Sequence, residues 1–242
     1  MTTAAESRRM TAGTQSSSSS RGAARIVGTR LLPAAVGIWL VLLAAGYGLR
    51  HAGKGWADRD AGPDRWFVRH RTSTFNTLTH YGTLAAETTT VCVAGLVLFI
   101  LLRLLTHSWR PSLFLAAALI GEVTIFLSTT ALVDRSRPDV PRLDQAPPTS
   151  SFPSGHTAAS VALYGGLAFV VWALTRARWA RTLAVVFGVL IPVMVACCRL
   201  YRGMHYPTDV TGGALFSLIW LCVCATVILH RPSRPDPAGA SR

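Results

Sequence analysis

The sequence predicts an all-α membrane fold, a bundle of six transmembrane helices. Half of the 242 residues are hydrophobic, only 14% are charged, and the apolar residues form long continuous runs instead of periodic stripes. Polar turns separate the runs, and each run approaches the roughly 20 residues that a helix needs to cross a bilayer. The predicted spans are 26–49, 82–105, 112–133, 157–174, 182–197 and 210–229.

The two ends of the chain lack the apolar content of the middle. Residues 1–25 are rich in Ser, Thr, Ala and Arg, and residues 231–242 are rich in Pro, Arg and Asp. Both ends are predicted to be disordered, the first as a cytoplasmic tail, around one membrane domain at 26–230. The first apolar run follows a basic leader but is long and starts late, which favours an uncleaved helix over a signal peptide.

The longest polar connection, residues 50–81, mixes arginines and aspartates with aromatic residues such as Trp56 and Trp66. This composition is typical of a short helix in the lipid headgroup region. A loop anchored by its tryptophans accounts for the pattern equally well, and both interpretations stay open.

The charge pattern indicates a multi-pass protein of the cell membrane. The net charge of +13 would suggest nucleic acid for a soluble protein, but here the arginines lie at the ends of apolar runs, so no nucleic-acid partner is expected. The basic turns at 103–110 and 176–181 are short and nearly free of acids, which predicts a cytoplasmic location. The connections 50–81, 134–155 and 199–209 are then extracytoplasmic.

Polar residues suited to phosphate chemistry lie on the second and third of these connections, which share one face. Arginine stays charged at any working pH, and its planar fork binds phosphate in a bidentate manner. Residues on separate loops could therefore grip one phosphoryl group. The candidate site residues are Arg135, Arg137, Ser154, Gly155, His156, Arg199, His205 and Asp209.

The turn at 153–156 begins a predicted helix. Ser154 can cap that helix, Gly155 lets an oxyanion approach the backbone, and the unpaired N–H groups of the first turn attract anions. His156 adds a proton donor beside them. The alternative is a simple helix cap with an incidental histidine.

His205 and Asp209 are spaced i,i+4 at the start of the sixth span. This spacing lets the carboxylate hold one imidazole nitrogen and leaves the other free to attack phosphorus. His156 would then protonate the leaving alkoxide. Since the loops lack a carboxylate cluster for a divalent cation, arginine must supply the neutralising charge, and we expect no metal or cofactor. The five cysteines all fall in apolar spans and are interpreted as packing residues.

These motifs resemble the type-2 phosphatidic acid phosphatase (lipid phosphate phosphatase) superfamily. Its signature has three blocks: Lys-x6-Arg-Pro, Pro-Ser-Gly-His and Ser-Arg-x5-His-x3-Asp. Arg137 and Pro138 match the end of the first block, residues 153–156 match the second, and Arg199, His205 and Asp209 match the third. Two positions depart from the pattern: Thr130 stands where the family has lysine, and Cys198 where it has serine.

The resemblance implies a six-helix membrane enzyme in which His205 forms a phosphohistidine, Asp209 orients it and His156 is the general acid. It also implies a phosphate cradle built from Arg137, Arg199 and the backbone of residues 154–155. Arg135 is expected to replace the charge that Thr130 lacks.

The predicted activity is that of a metal-independent lipid phosphate or pyrophosphate phosphatase at the extracytoplasmic face. Its partners would be membrane lipid and a lipid phosphate or polyprenyl diphosphate substrate, whose tail no motif specifies. The alternatives are phosphoryl transfer to an acceptor other than water, and a lipid-binding or transport protein that keeps the anion site without turnover. Glu122, midway along the third span, is either a neutral bundle residue or a functional one, because acids are costly at that depth.

Overall fold

In the computed structural model, residues 27–229 are described, and the tails predicted at 1–25 and 231–242 lie outside them. Within this range the chain is helical, without a strand, and six of its nine helices are long and apolar enough to cross a membrane. The predicted all-α bundle with six spans is therefore confirmed. The helices are Gly28–Arg50 (α1), Lys54–Asp60 (α2), Gly62–Arg69 (α3), Ser73–Leu84 (α4), Thr88–Thr106 (α5), Trp109–Val133 (α6), Gly155–Leu174 (α7), Arg178–Tyr201 (α8) and Pro207–Leu229 (α9).

The connection between α1 and α5 folds into the three short helices α2, α3 and α4. The predicted start of the second span at residue 82 is wrong, because residues 82–84 complete α4 and the membrane helix begins at Thr88. Contacts with α8 explain this boundary. The Tyr201 hydroxyl donates to the Asn76 side chain at 2.9 Å, and a Cβ on Gly82 would lie 2.7 Å from the Cys198 sulfur.

Large apolar side chains cover the outside of the bundle. Leu105, Trp179 and Phe187 are 76, 71 and 57% exposed. Water does not tolerate such an extended apolar surface, whereas lipid tails do. Of the six long helices α7 is the most buried and α5 the least, so α7 lies at the centre and α5 at the periphery.

Helices α7 and α9 are joined tightly where both begin. The Ser154 N–H donates to the Asp209 carbonyl at 2.9 Å, and a Cβ on Gly213 would lie 2.5 Å from the Ser154 carbonyl oxygen. Only glycine allows this approach of the two backbones. The loop ahead of α7 and the turn ahead of α9 are therefore held side by side.

The three connections 50–81, 134–155 and 199–209 meet at this end of the bundle, as predicted. Arg71 reaches from the first to the second, donating to the Pro141 carbonyl at 2.8 Å. Arg202 reaches from the third to the first, donating to the Asn76 carbonyl at 3.0 Å. Helices α2 to α4 thus pack around the loops that carry the candidate site.

Candidate active site

A cavity of about 980 Å³ runs from this meeting point down between α5 and α6. Its upper end is polar, and farther along its walls are largely apolar, with Val91, Leu119 and Val123 among them. Of the predicted site residues, Arg137, Gly155, His156, Arg199 and His205 line the cavity, whereas Arg135, Ser154 and Asp209 do not.

His205 lies in the turn between α8 and α9 and is 4% exposed. Its Nδ1 is 2.8 Å from the Ser151 carbonyl oxygen, and its Nε2 is 3.4 Å from Nη1 of Arg137. A carbonyl can only accept a hydrogen bond, so its position assigns the proton to Nδ1. Nε2 then carries the ring's lone pair, which accepts a long hydrogen bond from Arg137 at 3.4 Å, and both residues line the cavity.

Burial lowers the pKa of the His205 imidazole, and the nearby Asp209 carboxylate acts in the opposite direction. Because the net direction is downward, the ring is neutral near pH 7. A neutral ring is the state that a nucleophilic histidine requires.

Asp209 hydrogen-bonds residues next to the His205 ring and not the ring itself. Its Oδ2 is 3.7 Å from Nδ1 of His205, beyond hydrogen-bond distance. The same oxygen accepts from the Ser151 hydroxyl and, at 2.9 Å, from the Tyr206 N–H. The i,i+4 spacing thus brings the two residues together, but the ring donates its hydrogen bond to the Ser151 carbonyl and not to Asp209.

Arg135 was expected to contact the substrate, but it does not line the cavity and instead joins buried residues of the protein. Its Nη1 donates to Asp209 at 2.5 Å and to the Thr208 hydroxyl at 2.8 Å, and its Nη2 donates to Asp60 at 2.8 Å. The guanidinium carbon lies 4.2 Å from the centre of the Tyr206 ring. With its fork occupied by two buried carboxylates, Arg135 cannot take over the role of the family's lysine.

Thr130 also faces away from the cavity. Its hydroxyl donates to the Leu127 carbonyl of its own helix at 3.1 Å. The arginines among the described cavity-lining residues are Arg137 and Arg199 alone. The site therefore lacks the third phosphate-directed cation of the resembled family.

Arg137 and Arg199 approach the cavity from different elements. Arg137 donates to the Met204 carbonyl at 2.7 Å, and Arg199 donates to the Asp144 carboxylate at 3.0 Å. The Nε atoms of both arginines are buried and have no hydrogen-bond partner among the described residues. Buried donors without partners are costly, so both side chains are suited to an anion that enters from the cavity.

Asp144 was not predicted, and no spacing in the sequence marks it. Its carboxylate accepts from Nε of Arg202 at 2.7 Å and from Arg199 at 3.0 Å. Burial alone would raise the pKa of Asp144, but the hydrogen bond from Arg202 and the charges of both arginines outweigh it and lower the pKa. A carboxylate thus lies against Arg199 where an entering phosphate would compete with it.

Helix α7 begins at the site, but Ser154 does not cap it as predicted. The Ser154 hydroxyl is hydrogen-bonded to the Thr157 hydroxyl at 3.0 Å, and the Ser154 N–H donates to the Asp209 backbone carbonyl. Gly155 and His156 line the cavity, and their N–H groups, in the first turn of α7, have no intrahelical acceptor. A Cβ on Gly155 would lie 2.6 Å from the Phe126 ring, which explains the glycine.

Beneath this network, Asp64 of α3 is fully buried, and neither carboxylate oxygen has a hydrogen-bond partner among the described residues. Burial, followed by the charges of Asp209 and Asp60, raises the pKa of Asp64 from 3.8 to about 8. The unfolded chain therefore loses this proton at lower pH than the folded protein. The free energy of unfolding then falls as the pH rises from about 4 to about 8, by roughly 4 kcal/mol between pH 5 and pH 8.

We expect Asp64→Asn, which cannot ionise, to remove much of this pH dependence. The variant should melt at a higher temperature than the parent at pH 8 in detergent, and the difference should shrink toward pH 5. Asp58→Asn, at an exposed carboxylate, is the matched control and should follow the parent. Identical pH slopes for the parent and Asp64→Asn would contradict the assigned role of Asp64.

The fold and the site together define a helical multi-pass membrane protein in which two arginines and three histidines, His80, His156 and His205, line one cavity among the described residues. The PAP2 superfamily model matches residues 113–232, and the chain belongs to this superfamily. The matched segment contains all eight predicted site residues.

Two curated proteins and one solved structure are similar to the chain. Phosphatidylglycerophosphatase B of Bacillus subtilis (strain 168) is 33% identical over 89 residues, which cover 36% of this chain and 43% of that protein. YbjG of Escherichia coli (strain K12), provisionally named an undecaprenyl-diphosphatase, is 37% identical over 78 residues, 32% of this chain and 34% of that protein. The chain thus matches less than half the length of either relative.

The structural similarity covers more of the fold. A crystal structure of a transmembrane PAP2-type phosphatidylglycerolphosphate phosphatase from Bacillus subtilis aligns with 79% of this chain and 94% of its own, with a TM-score of 0.67. The sequence identity is 20%. This match supports the arrangement of the six long helices.

Proposed function

We propose that the protein is a metal-independent phosphatase of lipid phosphates or pyrophosphates that acts through a phosphohistidine at the extracytoplasmic face. One observation carries the proposal: Nε2 of His205 has its lone pair beside Arg137 at the polar end of a largely apolar cavity. A nucleophile, an anion site and space for a hydrocarbon tail are thus continuous. The similarity to a phosphatidylglycerophosphatase and to a provisionally named undecaprenyl-diphosphatase supports the same class.

In the proposed first step, Nε2 of His205 attacks phosphorus and forms the N–P bond as the bond from phosphorus to the alkoxide oxygen breaks. Protonated His156 gives its proton to the departing alkoxide. The Nδ1 proton of His205 stays hydrogen-bonded to the Ser151 carbonyl, which stabilises the positive charge that the ring gains. Arg137 and Arg199 neutralise the charge on the phosphoryl oxygens.

In the second step, neutral His156 removes a proton from water, and the hydroxide attacks phosphorus. The N–P bond breaks, and its electron pair returns to Nε2 of His205. Inorganic phosphate leaves, and His156 is again protonated for the next cycle. No oxidant or metal ion is needed to balance either step.

The competing function is an anion-binding lipid carrier without turnover, or a phosphotransferase to an acceptor other than water. The neutral Thr130 and the pairing of Asp144 with Arg199 favour a weaker phosphate site than that of the resembled family. Turnover and acceptor identity separate these possibilities.

The decisive experiment is phosphate release by purified protein in detergent, with EDTA present and a panel of lipid monophosphates and diphosphates as substrates. We expect steady release of inorganic phosphate. Binding of these lipids without release would favour the carrier. Release only when an alcohol is added, with the phosphate found on that alcohol, would favour the transferase.

The proposed orientation can be tested by cysteine labelling in intact cells. In a variant without the native cysteines, Gln145→Cys should react with an impermeant maleimide, because this residue lies in the exposed part of the 134–154 loop. Ala177→Cys, in the opposite basic turn, should react only after permeabilisation. The reverse labelling would overturn the extracytoplasmic location of the site.

A further inference from the structure

Glu122 is a buried acid that the proposed chemistry does not use. It lies midway along α6, is 4% exposed and lines the same cavity as His205. Its carboxyl group has no hydrogen bond or ion pair with any described residue. The cavity wall therefore holds a strong hydrogen-bonding group that the protein itself leaves without a partner.

An unpaired carboxylate at this depth in a membrane helix is costly, so Glu122 is expected to be neutral, with one O–H donor and one free carbonyl acceptor. A second such group lies in the same cavity: the buried Thr83 hydroxyl also lacks a partner among the described residues. Apolar walls with a few convergent polar groups are typical of sites that orient a ligand. Both groups are suited to an uncharged polar ligand group.

The position of Glu122 indicates which part of a bound lipid it would meet. The Phe126 ring packs over Gly155 at the phosphate end, and Glu122 precedes Phe126 by four residues. Glu122 is therefore about one helical turn, or roughly 6 Å, farther into the cavity on nearly the same face of α6. A ligand group beside it would be a few bonds from the phosphorus held by Arg137 and Arg199.

The two candidate lipid classes differ in this region. A glycerol-based lipid phosphate carries ester or hydroxyl oxygens a few bonds from phosphorus. A polyprenyl phosphate carries only hydrocarbon there and would leave Glu122 without a partner. An unsatisfied buried polar group costs about 1–3 kcal/mol, which is enough to discriminate between the two.

We propose that Glu122 is a specificity-determining residue that hydrogen-bonds the glycerol portion of the substrate and makes the enzyme prefer glycerol-based lipid phosphates. This inference rests on the proposed phosphatase function. Glu122 takes no part in phosphoryl transfer, so its removal affects one substrate class and leaves the chemistry intact.

The test compares dioctanoyl phosphatidic acid with farnesyl monophosphate, which carry the same phosphate group on different tails. Glu122→Leu should lower kcat/KM for phosphatidic acid at least about tenfold, mainly through KM, and leave farnesyl monophosphate within about twofold or improved. Glu122→Gln keeps a donor and an acceptor and should stay within about threefold for both. Thr124→Leu, an exposed polar position on α6 that does not line the cavity, is the matched control.

Equal losses of kcat/KM with both substrates would mean that Glu122 only supports the bundle, and no loss with either substrate would mean that it does not contact the lipid. Either result overturns the inference. The rise in melting temperature that each lipid causes is measured in parallel, so that a binding preference between the two lipids can be detected even if the protein has no turnover. A binding preference that Glu122→Leu removes, in a protein that releases no phosphate, would contradict the phosphatase function alone.

Discussion

Replacing His205 with alanine is expected to lower phosphate release at least about a thousandfold, with little change in thermal stability. Nε2 of His205 is the proposed nucleophile. Two other histidines line the cavity: His156 is the proposed acid, and His80 lies on α4 and has no role in the proposed steps. Loss of the imidazole also leaves the Ser151 carbonyl without its donor, which is a small cost next to the loss of the N–P bond. Initial rates with a short-chain lipid phosphate provide the measurement.

Two variants make this result specific. His51→Ala, at an exposed histidine whose ring is hydrogen-bonded to the Tyr47 carbonyl of α1, should behave as the parent. His156→Ala should be severely impaired with lipid phosphates but less impaired with an aryl phosphate, whose leaving group needs no proton. Release by His205→Ala at more than a few hundredths of the parent rate would exclude the phosphohistidine mechanism.

Replacing Arg135 with alanine is expected to destabilise the protein by about 3–5 kcal/mol and to remove most activity. The change leaves the Asp60 and Asp209 carboxylates buried without their shared cation, at 2.8 and 2.5 Å in the parent. Asp209 accepts a hydrogen bond from the Ser151 hydroxyl, and the Ser151 carbonyl accepts one from the His205 ring. A displaced Asp209 should therefore also disturb the orientation of His205. We therefore expect a lower melting temperature in detergent together with a lower kcat.

Arg142→Ala provides the matched control, since Arg142 is an exposed arginine of the same loop. It should keep both stability and activity near the parent values. A raised KM for Arg135→Ala with an unchanged melting temperature and kcat would instead indicate direct substrate binding. That outcome would contradict the structural role assigned to Arg135, and Asp60→Asn should then have little effect on stability.

The spans and the shared face of three connections follow from the sequence because they depend on simple physical limits. A bilayer requires long apolar helices, and alternate loops of a multi-span bundle must lie on the same side. The residues Arg137, His156, Arg199 and His205 were predicted as site residues from their motifs, and the structure gathers them around one cavity. His156, Arg199 and His205 sit at helix ends or in a short turn, where local spacing constrains position, whereas Arg137 lies in the long 134–154 loop.

Other features were decided by tertiary structure alone. Asp60 and Arg135 are 75 positions apart and pair only because α2 folds back onto the loop ahead of α7. Asp144 pairs with Arg199 and Arg202 across 55 and 58 positions. Such contacts depend on how each helix is rotated and how each loop closes, which neither composition nor periodicity encodes.

The sequence by itself determined a six-helix membrane bundle and the residue types of an anion site at one end. Only the tertiary structure decided that Arg137 and Arg199 line the cavity and that Arg135 neutralises Asp209 instead. It also placed Glu122 in the wall of the same cavity. The physical reason is separation along the sequence. Helical spacing and bilayer thickness constrain residues that are close in the sequence, whereas the direction of a buried side chain is set by packing against elements far away in the sequence.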